Sequence, residues 1–211
     1  PATKGRRSMS MFEEFGKIPR LSRECVVTEK IDGTNAQVFI VAGSDAPEAV
    51  TLPSEFAPFV IAASGGMLMF AGSRTRLIAP QVDNYGFAAW VTAHADELWA
   101  LGPGRHFGEW WGSGIQRGYG LPKGEKRFSL FNTSRWNTET APACCHVVPV
   151  LYRGVFSTEV VGTQIERLRV MGSVAAPGFM SAEGVIVYHV AANSYFKKTL
   201  DKDSEPKGRA A

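Results

Sequence analysis

Short apolar runs rich in Val, Ile, Phe and Ala, bounded by Gly, Pro, Asn and Ser, recur along this chain and constrain its fold more than any other feature. They predict strands over 24–30, 35–41, 58–63, 67–72, 106–110, 127–131, 145–152, 183–189 and 194–199. Asp32-Gly33 and Ser64-Gly65-Gly66 supply turn chemistry between neighbouring runs, which predicts antiparallel pairing. Only two segments carry a helical period. In 85–101, Phe87, Trp90, Val91, His94 and Leu98 share a face, Asp83 or Asn84 can cap the start, and Gly102-Pro103 ends it. In the second, Ser157 is the cap and Val160, Val161, Ile165 and Leu168 form the apolar side up to about Met171. Strands outnumber helices and do not alternate with them, so the expected class is α+β, with antiparallel sheets and flanking helices rather than a doubly wound sheet.

Length and charge bound the rest. With 211 residues the chain has room for one substantial domain, assigned here to 12–200. A basic, flexible segment is expected over 1–11 and a charged tail over 201–211, with no separate C-terminal domain. The start at Pro1 points to processing, or to added residues ahead of Met9 or Met11. No run approaches the ~18 apolar residues of a membrane helix, and the start lacks a signal peptide's apolar core. A cytoplasmic protein without a membrane partner is therefore expected. A net charge of +3 is compatible with nucleic acid and too mild to prove it. Cys25, Cys144 and Cys145 read as reduced thiols, and Cys144-Cys145-His146 lacks zinc spacing.

The chemistry lies in Thr28-Glu29-Lys30-Ile31-Asp32-Gly33-Thr34-Asn35, where a lysine ends an apolar strand and a turn brings a carboxylate beside it. Alone, this string reads equally well as a solvated hairpin end. It is followed in order by Ser73-Arg74, Phe107-Gly108-Glu109, the stretch from Phe128 to Phe131, Glu183-Gly184-Val185-Ile186 and Lys197. This series resembles the collinear motifs of covalent nucleotidyltransferases, the superfamily of DNA ligases, RNA ligases and capping enzymes. It spans nearly the whole chain. Asn35, standing where DNA ligases and capping enzymes usually carry arginine, is similar to the RNA ligase branch. The blocks Asp83-Asn84-Tyr85-Gly86-Phe87 and 108–116 resemble short RNA ligases of phages and some bacteria.

That resemblance implies an adenylation domain with an ATP-grasp-like cleft between sheets, in which Lys30 attacks the α-phosphorus of ATP. It further implies an RNA partner with 5′-phosphate and 3′-hydroxyl ends. An ordinary lysine is almost wholly ammonium at neutral pH, so neighbouring cations and desolvation must favour the neutral amine. Arg74, Lys197 and bound Mg²⁺, which Mn²⁺ could replace, are the cations in question, and they would also stabilise phosphate charge. Glu109 and Glu183 are the implied ribose and metal contacts, and Asp32 a catalytic or metal-orienting carboxylate. Glu29 is the implied acceptor of the adenine amine, Phe131 or alternatively Phe128 the ring stacked on adenine, and Ile186 the residue beneath it. Asn35 is implied to bond the nucleotide or the RNA end.

The last motif departs from the family pattern of two lysines separated by one residue. In Phe196-Lys197-Lys198-Thr199 a threonine occupies the second place, so Lys197 is the favoured phosphate contact and Lys198 the open alternative. Trp110, Trp111 and Arg117 could grip RNA, although core packing serves the tryptophans equally well. His94, on an apolar helix face, reads as a core residue. Two rival functions remain from sequence: a minimal DNA ligase, and a nucleic-acid-binding module that has lost catalysis.

Overall fold

A computed structural model describes residues 15–42, 54–201 and 203. The expected segments 1–11 and most of 201–211 lie outside the described residues. Eleven strands form two sheets among them. The smaller has the order β11-β10-β1-β9, from Ser194–Thr199, Gly184–His189, Glu24–Lys30 and Val150–Val155. The larger runs β3-β4-β2-β6-β7-β8, from Val60–Ser64, Met67–Ser73, Thr34–Ala42, Gly104–Gly112, Lys126–Leu130 and Cys145–Val147, with β5 (Leu77–Ile78) against β4. All pairs are antiparallel except β7 with β8. The α+β class expected from sequence is the class found.

The turn expected to join β1 and β2 as a hairpin does something else. β1 pairs with β10 and β9, whereas β2 pairs with β4 and β6. Asp32-Gly33 therefore carries the chain from one sheet to the other. Gly33 passes so close to β6 that an added Cβ would stand 2.5 Å from the Trp110 carbonyl oxygen and 2.7 Å from the Trp111 Cβ. Only a residue without a side chain fits that crossing.

Each sheet buries one face against helix. Cys25, Val27, Val185 and Val187 of the smaller sheet pack on Val161, Ile165 and Leu168 of α3 (Thr158–Met171). The Ser157 hydroxyl accepts from the Val160 N–H at 3.1 Å, so the expected cap is present. In the larger sheet, Ala36, Val38, Ile40, Trp110, Phe128 and Leu130 pack against α1 (Phe87–Ala93) and α2 (Ala95–Leu98). The Asp83 carboxylate, not Asn84, accepts from the Ala88 and Ala89 N–H groups. The single helix expected over 85–101 is broken at His94, whose φ of −111° and ψ of 18° leave the α region. His94 is half-exposed rather than in the core. The run 145–152 is likewise two strands, because Pro149 has no N–H for a continuous ladder.

Candidate active site

Period-two alternation decides what each strand offers. On β1, Glu29 and Lys30 point to opposite faces of the smaller sheet. Lys30 shares its face with Thr28, which lies opposite Ile186, which in turn lies opposite Lys197. Glu29 lies opposite Val185, which lies opposite Lys198. The register thus brings Lys197 to the face of Lys30 and puts Lys198 on the other face, where its ammonium pairs with Asp203.

Lys30 is the last residue of β1, and its ammonium donates to the carboxylate of Glu183, the residue preceding β10. Both side chains are about four-fifths buried. Gly184, at φ +153°, lets β10 start there: an added Cβ would meet the Lys198 carbonyl oxygen of β11 at 2.2 Å.

From the larger sheet comes Glu109, directly opposite Asn35 on β2 and Ser129 on β7, so the three share a face. Glu109 accepts from the Gly33 N–H at 3.1 Å. Burial pushes its carboxyl up to about 7; Lys30 and the Gly33 N–H oppose the rise, and Glu183 and Asp32 add to it. The Lys30 ammonium thus meets one carboxylate from the smaller sheet, Glu183, and has a second, Glu109, nearby from the larger. Phe131 follows β7, donates its N–H to the Phe107 carbonyl, and is 36% exposed. Phe128 is fully buried among Phe87, Trp90 and Trp110 and has no face left for a ligand.

Three groups from β6 and the loop behind it hold the Asp32-Gly33 turn. Beside the Glu109 bond, the Tyr119 hydroxyl oxygen accepts from the Asp32 N–H at 2.7 Å. The Arg117 Nε donates to the Asp32 carboxylate at 3.0 Å, and its Nη1 donates to the Ser181 carbonyl at 2.9 Å. Tyr119 is buried with a φ of +53°, a conformation rare for an aromatic residue. It packs between Trp111 and Phe179. Sequence reasoning missed Tyr119 and gave Arg117 a different role. A phenol bonding a backbone N–H 87 residues away leaves no trace in a motif.

The remaining expected residues fall as follows. Glu29 is 1% exposed, and its carboxylate accepts from the Ser173 hydroxyl (2.5 Å) and the N–H groups of Val174 (2.8 Å) and Ala175 (2.9 Å). Burial raises its pKa, and those three bonds oppose the rise. Arg74 is exposed at the tip of a tight turn closed by the Ser73 N–H on the Arg76 carbonyl. Ser73 lies opposite Ala36, so Arg74 stands at the end of the larger sheet where β2 begins. Trp110 and Trp111 are both buried, the first donating to the Tyr85 carbonyl and the second to the Ser129 hydroxyl. Neither ring is available to stack on RNA.

Two mainly antiparallel sheets joined by the turn that follows Lys30, with Glu183 paired to the lysine, have the architecture of a nucleotidyltransferase domain. Solved structures with this fold include Naegleria gruberi RNA ligase as a lysine mutant with ATP and Mn (TM-score 0.50, 16% identity, 88% of this chain and 52% of that one). A glutamate mutant of the same protein with AMP and Mn gives TM-score 0.50 and 16% identity over 85% of this chain and 50% of that one. Its apo aspartate mutant gives TM-score 0.50 and 16% identity over 88% and 53%. The chain spans about half the length of these structures, and the likeness shows the fold. The RNA ligase family model matches residues 23–201, and the chain belongs to the RNA ligase family. No curated protein matches it significantly. Among the described residues, no helix is long and apolar enough to cross a membrane.

Proposed function

We propose that the chain is an ATP-dependent RNA ligase that joins a 3′-hydroxyl to a 5′-phosphate through a lysyl-AMP intermediate on Lys30. The observation that carries this is the placement of Lys30 at the junction of the sheets, against Glu183 and near Glu109, just ahead of a turn braced by Tyr119 and Arg117.

In the first step the Lys30 amine forms a bond to the α-phosphorus of ATP, and the bond to pyrophosphate breaks. The ammonium must first give up its proton, and the carboxylates nearest it are Glu183 and Glu109. In the second step a 5′-phosphate oxygen of RNA takes the AMP and Lys30 leaves as an amine. In the third, the 3′-hydroxyl attacks the activated 5′-phosphorus and AMP departs. Lys197, on Lys30's sheet face, and Arg74, at the end of the facing sheet, are the cations that would meet phosphate oxygens.

The site fits a divalent cation, because the Glu183 and Glu109 carboxylates converge beside Lys30 and the Glu109 carboxyl is pushed up to about 7. Glu109 and Glu183 would hold Mg²⁺ or Mn²⁺, which when bound neutralises phosphate charge; one or two carboxylates suffice for such an ion. Two of the three Naegleria gruberi structures carry Mn with ATP or AMP, which supports the same reading here. Phe131 would stack on the adenine with Ile186 on its other side, and Asn35, opposite Glu109, would bond the nucleotide or the RNA end. Glu29 uses three of its roughly four acceptor sites on the loop after α3. To bond adenine's amine through the fourth, as guanine's carbonyl could not, this 1%-exposed carboxylate would have to be uncovered on the face away from Lys30.

Matched RNA and DNA strands with 5′-phosphate and 3′-hydroxyl ends test the proposal. With ATP and magnesium, RNA ends should be sealed, and blocking the 3′-hydroxyl should accumulate adenylylated 5′ ends. Better sealing of DNA would favour a minimal DNA ligase, and failure with both substrates would leave a binding module.

A further inference from the structure

The break between α1 and α2 turns His94 away from the core, and a different part of the chain meets it there. Its Nδ1 lies 3.0 Å from the Glu97 Oε1, one turn further on. Cys144, in the last position before β8, reaches the same spot, and its thiol and N–H face the Glu97 carboxylate. The imidazole nitrogen, a carboxylate oxygen and the Cys144 sulfur all lie within 4.8 Å of one another.

We infer that His94, Glu97 and Cys144 form a binding site for a zinc-type divalent cation, separate from the Lys30 site. The donor set argues the ion's class. Magnesium and calcium take oxygen ligands, whereas an imidazole, a carboxylate and a thiolate together suit zinc and its neighbours. Tetrahedral zinc with bonds of about 2.0–2.3 Å sets its ligand atoms roughly 3.3–3.8 Å apart. The three donors thus need only small side-chain movements to close on an ion. Cys144 would bind as thiolate, releasing its proton to solvent, and the thiolate and carboxylate together balance the two positive charges. His94 and Glu97 are half-exposed, so the fourth position falls to water.

The location gives the ion a task. The His94 ring packs 5.1 Å from Trp90, which lies on Trp110 and Phe128, so the site is on the helix side of the larger sheet, away from Glu109. Residues 131–144, between β7 and β8, form neither helix nor strand. An ion held by His94, Glu97 and Cys144 would pin the end of that connection to the α1–α2 corner. Ordering a long connection at one point stabilises the fold by removing freedom from the unfolded chain. The spacing His94-x-x-Glu97 with a distant Cys144 matches no local zinc signature, so only the fold reveals it.

Cobalt(II) titration of the reduced, chelator-treated full chain tests the site, because thiolate-bound Co²⁺ absorbs in the near ultraviolet and tetrahedral Co²⁺ in the visible. One equivalent should bind with both bands and be displaced by Zn²⁺. Cys144→Ser should lose the near-ultraviolet band, and His94→Ala and Glu97→Gln should weaken binding, with circular dichroism verifying that each variant is folded. Cys145→Ser and Lys30→Ala should bind like the wild type. The inference is overturned if the wild type shows no thiolate band, or if the band survives in Cys144→Ser.

Discussion

The ammonium of Lys30 and the carboxylate of Glu183 form an ion pair between residues 153 positions apart, joining the end of β1 to the start of β10. An anionic partner stabilises the charged lysine, so under the proposed mechanism this pair would have to loosen before the amine attacks. A divalent cation competing for Glu183 would loosen it. Glu183→Gln, which removes one charged ligand worth about 1.5–3 kcal/mol, is expected to raise the magnesium concentration for half-maximal lysine labelling by roughly tenfold or more. An unchanged magnesium dependence would remove Glu183 from the metal's surroundings.

The two neighbouring lysines of β11 should behave differently. Lys197 shares the face of Lys30, and loss of such a charge donor commonly costs on the order of a hundredfold in rate. Lys198 faces away and makes an exposed, solvent-screened pair with Asp203. Lysine labelling rates of Lys197→Ala and Lys198→Ala check this, with a large loss expected in the first and little change in the second.

Gly33→Ala tests the crossing between sheets. The new methyl would press on the β6 backbone at Trp110 and on Trp111, and overpacking of this kind costs about 1–3 kcal/mol. A lower denaturation midpoint together with loss of labelling is expected. Full labelling at normal stability would show that the turn need not sit against β6.

Glu109 gives the fold a pH dependence. Its carboxyl stands at about 7 in the folded chain against an ordinary 4.5. Between those values the folded chain holds a proton that the unfolded chain has released. Unfolding therefore sheds a proton, and stability falls as pH rises through this window. Glu109→Gln should flatten that part of the stability curve and be more stable than the wild type at pH 8, by roughly 1–3 kcal/mol. Melting both proteins from pH 5 to 8 checks it; parallel curves would contradict the assignment.

Much of this was legible before the fold was known. The alternation around Val27 and Val38 and the Ser157 cap place most strands and α3 correctly, with Lys30 at the end of β1. What stayed hidden depends on distant pairing. Asp32-Gly33 has the chemistry of a hairpin, and only the partners of β1 and β2 show that it crosses between sheets. Phe128 and Phe131 look alike in sequence, yet they sit one in the helix-packed core and the other half-open. Trp110 and Trp111 point to opposite faces, and both are buried because helix covers one face and the Tyr119 loop the other. Tyr119 and Arg117 act on the backbone and carboxylate of the turn, contacts no local pattern announces.

Under the proposed function, Lys30 becomes covalently attached to AMP. Incubation with α-labelled ATP and magnesium, followed by denaturing electrophoresis, should give a labelled protein whose label is acid-labile and maps by peptide analysis to Lys30. Lys30→Ala, verified as folded, should take up none. Wild-type labelling in Lys30→Ala, or label mapped to another residue, would contradict the account.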